Sequence, residues 1–131
     1  MDVTPLVKEG SKIIQSYAGE RFRISGEIFE HAVLVTQNSV KIWDAAAPVK
    51  ELSAADFDPL IAMCDEFDVV LMGTGERMSF LEPALKRELK ERGLHVEVMD
   101  SGAASRTYNV LMAEGRRVVA AMLPYKNKTQ T

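Results

Sequence analysis

One cysteine, five prolines, eight glycines and 7% aromatic residues in a chain of 131 leave several protein classes without support. The lone thiol, Cys64, closes no intrachain disulfide, and it falls on the apolar face of a predicted helix, where an inert core thiol is the ordinary outcome. A chain without a disulfide framework fits a reducing compartment. The longest apolar stretches, residues 69–72 and 118–123, fall far short of the roughly 20 residues that span a bilayer. Basic charge is scarce too. Sixteen Lys and Arg against nineteen Asp and Glu leave a net charge of -3, and no long basic run precedes Lys126 and Lys128, so a nucleic-acid footprint is missing. The first ten residues (MDVTPLVKEG) carry neither an apolar signal region nor an Arg- and Ser-rich amphipathic pattern, which makes the cytoplasm the expected location.

Catalytic and metal signatures are equally thin. His31 and His95 stand alone with no His or Cys at ligand spacing, so no metal site or cofactor is expected. No Gly-x-Ser-x-Gly elbow is present to bring Ser101 or Ser105 to a histidine. What the chain does have is 47% hydrophobic and 27% charged residues, close to the average for a globular domain, and enough length to bury roughly two-thirds of its unfolded surface.

The hydrophobic periods give the architecture. Residues 21–25 (RFRIS) and 39–44 (SVKIWD) alternate, and 32–36 (AVLVT) is a short apolar run, so the first third reads as antiparallel strands with Gln37-Asn38 as a left-handed hairpin turn. After a break at residues 45–48, Phe57, Leu60, Ile61, Cys64 and Phe67 recur at helical spacing behind Ser53, Asp56, Asp58 and Pro59. Residues 68–73 (DVVLMG) suit a strand covered on both faces. A helix on Leu81, Leu85 and Leu89 follows, with a Ser79-x-x-Glu82 capping box, a Glu88 to Arg92 pair and Gly93 as its stop. A strand over 95–99, a helix over 103–114 ended by Gly115 and a strand over 117–123 stopped by Pro124 complete the order. Short connections between alternating strands and helices predict a mostly parallel α/β sheet, with the N-terminal strands extending or covering it. Residues 1–125 form a single domain in this reading, and 126–131 (KNKTQT) a disordered polar tail.

Two loops follow the C-terminal ends of the expected parallel strands: Gly73-Thr74-Gly75-Glu76-Arg77 and Asp100-Ser101-Gly102-Ala103. Ligands collect at that end of open α/β sheets, and Gly73, Gly75, Ser101 and Gly102 could frame a small anion pocket. The third glycine of a dinucleotide fingerprint is absent and no Gly-Lys-Ser/Thr ending follows, so a tight turn is preferred to a phosphate site for these glycines. Ser105-Arg106-Thr107-Tyr108-Asn109 is the most unusual segment, because mediocre helix formers occupy the first half of a helix and Arg106 sits near its positive end. Either Arg106 pairs with Asp100 or Glu76 while Tyr108 and Asn109 bond a neighbouring loop, or the group meets a ligand. Trp43, with Phe22 and Phe29, is a half-buried strand aromatic or part of an exposed partner patch.

Gly73-Thr74-Gly75, residues 98–111 (VMDSGAASRTYNVL) and Glu114-Gly115-Arg116-Arg117-Val118, with Arg23-Ile24 and Trp43, resemble an uncharacterised family that includes mitochondrial complex I assembly factor 3. Ser101 and Gly102 depart from the Thr and bulkier residue that relatives carry there. The resemblance implies a three-layer α/β/α fold whose mixed five-strand sheet has one antiparallel strand. It also implies a protein-binding helper without demonstrated catalysis, active while a respiratory complex is assembled, with bacterial relatives linked to membrane-protein insertion. A chain with no import sequence is similar to the short bacterial form. Two functions follow as expectations. The first is a non-enzymatic cytoplasmic partner-binding factor using Trp43 and the loops 74–77 and 100–106. The second is a small-molecule or anion-binding domain, a cryptic enzyme included, centred on Gly73, Gly75, Ser101, Arg106 and Tyr108. Homo-oligomerisation through a sheet edge or the Trp43 face is a third, weaker expectation.

Overall fold

A computed structural model describes residues 10–18, 21–45 and 49–124. The expected polar tail, the N-terminal segment to residue 9 and most of the break at 45–48 lie outside the described residues.

Strands β1 (Ile14–Ala18), β2 (Arg21–Ile24) and β3 (Glu27–Phe29) form an antiparallel meander. In β2 the alternation seen in the sequence holds, with Phe22 and Ile24 buried and Arg21 and Arg23 exposed. Ser25 and Gly26 join β2 to β3 with φ of 47° and 87°, the paired left-handed geometry of a two-residue hairpin.

Strands β4 (Val33–Val35) and β5 (Val40–Ile42) make the expected antiparallel hairpin, but Asn38 is not left-handed. Instead the Thr36 hydroxyl accepts from the Asn38 and Ser39 amides at 3.3 and 3.1 Å and closes the turn from its side chain. With β6 (Val69–Gly73), β7 (Val96–Met99) and β8 (Val118–Met122), this hairpin builds a five-stranded sheet in the order β5-β4-β8-β6-β7. Only β4 opposes the others, since β6 is parallel to both β7 and β8 while β4 is antiparallel to β5 and β8. The central strand β8 is buried along its whole length, as covering on both faces requires.

The two faces collect different cores. Leu34, Val70, Met72, Val119 and Ala121 point toward Trp43, Phe57 and Leu60 and toward Leu89. Trp43 directly follows β5, while Phe57 closes a 3-10 turn (Ala54–Phe57) and Leu60 and Leu89 belong to helices α1 (Asp58–Ala62) and α2 (Pro83–Glu91). Val33, Val35, Leu71, Val118, Ala120 and Met122 point the other way. They pack against Ala104, Tyr108 and Met112 of α3 (Ser101–Ala113) and against Ile14, Phe22 and Ile24 of the small sheet. The result is a three-layer α/β/α arrangement in which the N-terminal meander shares the α3 layer. The chain steps from β6 to β7 over one face and returns past β6 to β8 over the other, which lets both crossovers keep one hand.

Two local expectations are corrected. The helix anticipated across Phe57 to Phe67 is broken into a 3-10 turn, the five residues of α1 and a second 3-10 turn at Cys64–Glu66. Asp65 and Glu66 would stand at the negative end of a continuous helix, where carboxylates are unfavourable, and the Met63 amide tightens onto the Leu60 carbonyl instead. The Ser79-x-x-Glu82 capping box does not form. Glu82 itself is the N-cap, with ψ 133°, because Pro83 at the first helical position excludes the helical conformation from the residue before it. Gly93 and Gly115 do stop their helices, with φ of 93° and 83°. The Glu88–Arg92 pair forms at 2.8 Å on the exposed side of α2.

Candidate functional site

The loops after β6 and β7 meet, and their polar groups are spent on each other. Gly73 is a glycine because an added Cβ would lie 2.9 Å from both Cα and Oγ of Ser101, so β6 approaches the start of α3 as closely as backbones allow. The Gly75 amide donates to Ser101 Oγ at 2.8 Å, and the Ser101 amide donates back to the Gly75 carbonyl at 2.8 Å. The same hydroxyl donates to the Leu123 carbonyl at 3.2 Å, tying in the end of β8. Thr74 donates from its hydroxyl to the Arg77 carbonyl at 2.7 Å and accepts the Ser79 amide at 3.0 Å, which fixes the path of the loop. Asp100 caps α3 by accepting the Ala103 amide at 2.8 Å. Gly73, Thr74, Gly75, Ser101 and Gly102 are all buried, and the Gly75 and Ser101 amides that an anion would need are bonded to each other's residues. The sequence-level reading of these glycines as a tight, closely approached turn is the one the geometry carries.

The irregular helix segment has an equally specific explanation. Asn109 offers both ends of its amide to β1, with Oδ1 accepting the Ile14 amide at 3.0 Å and Nδ2 donating to the Ile14 carbonyl at 2.8 Å. An amide side chain in that position reproduces the pairing a neighbouring strand would supply. Tyr108 is fully buried and donates its hydroxyl to the Lys12 carbonyl at 2.8 Å. Burial pushes its phenol well above the usual tyrosine range, which keeps it neutral and donating. Ser105 bonds back to the Ser101 carbonyl at 2.8 Å. Asn109 therefore holds β1, and Tyr108 the residues just before it, rather than the neighbouring loop.

Trp43 joins neither group. It is 2% exposed on the opposite face of the sheet, donates Nε1 to the Asp56 carbonyl at 2.8 Å and meets the Phe57 ring edge-on at 5.5 Å. The expectation of a Trp43 partner patch is corrected, because the indole fills the gap between β5 and the first 3-10 turns. Of the residues singled out in the sequence, Arg77 and Arg106 reach solvent, and Asp100 is partly covered. Sequence reasoning passed over Met78 and Phe80, which are 43% and 79% exposed beside the sealed loop. Their signal was a negative one: neither falls on the Leu81, Leu85, Leu89 stripe that α2 turns inward. Among the described residues, no cluster of His, Cys, Asp or Glu could hold a metal ion, and no helix is long and apolar enough to cross a membrane.

Residues 14–123 match the family described as protein of unknown function (DUF498/DUF598). The chain belongs to this family. It is similar to an uncharacterized protein of Rhodobacter capsulatus, 32% identical over 122 residues that cover 93% of this chain and 92% of the relative. It is also similar to the bovine NADH dehydrogenase [ubiquinone] 1 alpha subcomplex assembly factor 3, 31% identical over 85% of this chain. That match spans 60% of the bovine protein. Among solved structures, a crystal structure of a Bordetella parapertussis protein matches with a TM-score of 0.76 and 35% identity, covering 88% of this chain and 97% of the other.

Proposed function

We propose that this chain is a cytoplasmic accessory factor that binds a protein partner during the assembly of a membrane or respiratory complex, and that it does so without catalysis. The observation that carries this reading is the likeness to a named assembly factor across 85% of the chain. The site geometry is consistent with it: the crevice where an α/β enzyme would hold its substrate is occupied by reciprocal hydrogen bonds of Gly75 and Ser101. Beside that seal stand Arg77, Met78 and Phe80, a cation with two exposed apolar side chains, of the composition that anchors protein interfaces. Their loop is the contact surface in this proposal, with Arg106 of α3 as a further exposed cation.

A photo-crosslinking amino acid at position 80 of the full chain, expressed in its native cells, tests the reading. Crosslinks to subunits or assembly intermediates of a membrane complex are expected, together with a lower yield of that complex on native gels when the chain is deleted. Crosslinks confined to soluble metabolic enzymes, or a deletion strain with every membrane complex at its normal level, would count against the proposal.

A further inference from the structure

The opposite end of the sheet is built differently. Because β4 runs against its neighbours, its turn at residues 36–39 projects at the end where β6 and β8 begin. The 3-10 turn that leads into β6 and the Gly115-Arg116-Arg117 connection that leads into β8 reach the same place. Between them lies a cleft of about 340 Å³, floored by Met63, Phe67 and Val118. Lys41 stands on one side of it, since the Leu34–Lys41 cross-strand pair puts Lys41 on the face covered by α1. Arg116 and Arg117 stand on the other.

The charges on these walls are unequal. Arg117 is already committed, donating to both carboxylate oxygens of Asp68 at 2.8 and 3.1 Å and to the Asp65 carbonyl at 3.3 Å. Among the described residues neither Lys41 nor Arg116 forms an ion pair, and Glu66 is the single carboxylate on the lining. In a chain of net charge -3, two cations outside any close ion pair among the described residues therefore line a partly apolar cleft, with Arg116 near enough to Asp68 for its charge to help lower that carboxyl. Gly115 adds no side chain there, and its would-be Cβ meets nothing within 4 Å.

We infer that this cleft binds a carboxylate carrying an apolar group, with Lys41 and Arg116 holding the charge and Met63 and Phe67 the apolar body. The site is distinct from the contact loop proposed above and stands on separate residues. Its volume lies at the small end of ligand pockets and fits one amino-acid-sized group, so the ligand is a free small acid or the last residue of a peptide.

The test is an amide-detected NMR titration of the full chain with N-acetyl-phenylalanine, its uncharged amide and a tetrapeptide ending in phenylalanine. Saturable shifts at Ser39, Lys41, Arg116 and Val118 are expected with the acid. The uncharged amide should bind about tenfold more weakly, as should the acid to Lys41→Ala or to Arg116→Ala. Both positions are exposed, so the variants keep the wild-type melting temperature and weaker binding is not misfolding. Tighter binding of the tetrapeptide assigns the site to a peptide terminus, and the reverse assigns it to a free acid; either upholds the site. Equal binding of acid and amide, shifts that map elsewhere, or no saturable shift would overturn it. Because the readout is local to the cleft, a failed crosslink at position 80 leaves this result unaffected, and the converse holds too.

Discussion

The two ends of the parallel strands obey opposite rules. At the C-terminal end of β6 and β7, glycines and a buried serine bring backbones together and consume the amides that could have held a ligand. At the N-terminal end of β6 and β8, a side-chain-closed turn, a short 3-10 turn and an exposed Arg-Arg step leave an open cleft lined by cations. The glycine-rich loop that looks most like a ligand site is therefore a structural joint, and the open cleft is lined by residues that carry no ligand-site pattern, Gly115-Arg116-Arg117-Val118 among them. Glycine marks close approach, and what approaches can be a ligand or the protein itself.

The sharpest way to break this contrast is Gly73→Ala. Its Cβ would meet the Ser101 backbone, which cannot swing aside, so a loss of about 3 kcal/mol is expected in urea unfolding. A neutral result would mean the two loops separate readily and the joint is a pocket after all. Next comes Ser101→Ala, which strands the Gly75 amide and the Leu123 carbonyl in a buried place and should cost about 2 kcal/mol by the same measurement.

Asn109→Ala extends the comparison to the clamp on β1. Loss of both hydrogen bonds to Ile14 should cost about 1 to 2 kcal/mol, and hydrogen exchange should rise first at the Ile14 amide. Uniform acceleration across the whole sheet would show instead that β1 unfolds only with the rest.

The smallest effect belongs to the open end. The hydrogen bond from Arg117 holds the Asp68 carboxyl below the usual carboxylate range; partial burial opposes this, while the charges of Arg117 and Arg116 add to it. A carboxyl depressed in the folded state contributes stability above its unfolded value, and that contribution disappears as pH falls through the folded value. Asp68→Asn should therefore lower stability slightly at neutral pH and flatten the acid side of the stability profile. Both partners are about half exposed, so added salt should shrink the difference.

The order of strands and helices from residue 68 onward was legible because each element carries its own period and its own punctuation. Gly93, Gly115 and the leucine stripe of α2 are local signals with local causes. Less was legible in the first third, where β1 and β3 lack a strong alternation and β1 is held by Asn109 far along the chain. The helix expected through Cys64 failed for a reason present in the sequence, the acidic pair at its end, but apolar spacing outweighed it. Within the candidate site, the exceptional character of Ser105 to Asn109 was visible as a breach of helix preference. Its purpose was not, because the group that Asn109 satisfies lies 95 residues away.

The sequence by itself determined the class of fold, the family and the inward faces of its main elements, since these depend on neighbours within a few residues. Tertiary structure alone decided which glycine loop is sealed, that Trp43 faces inward and that Lys41 and Arg116 face one cleft. Those outcomes depend on distances between segments that no local period encodes, and they are fixed only when β4, β6 and β8 lie side by side.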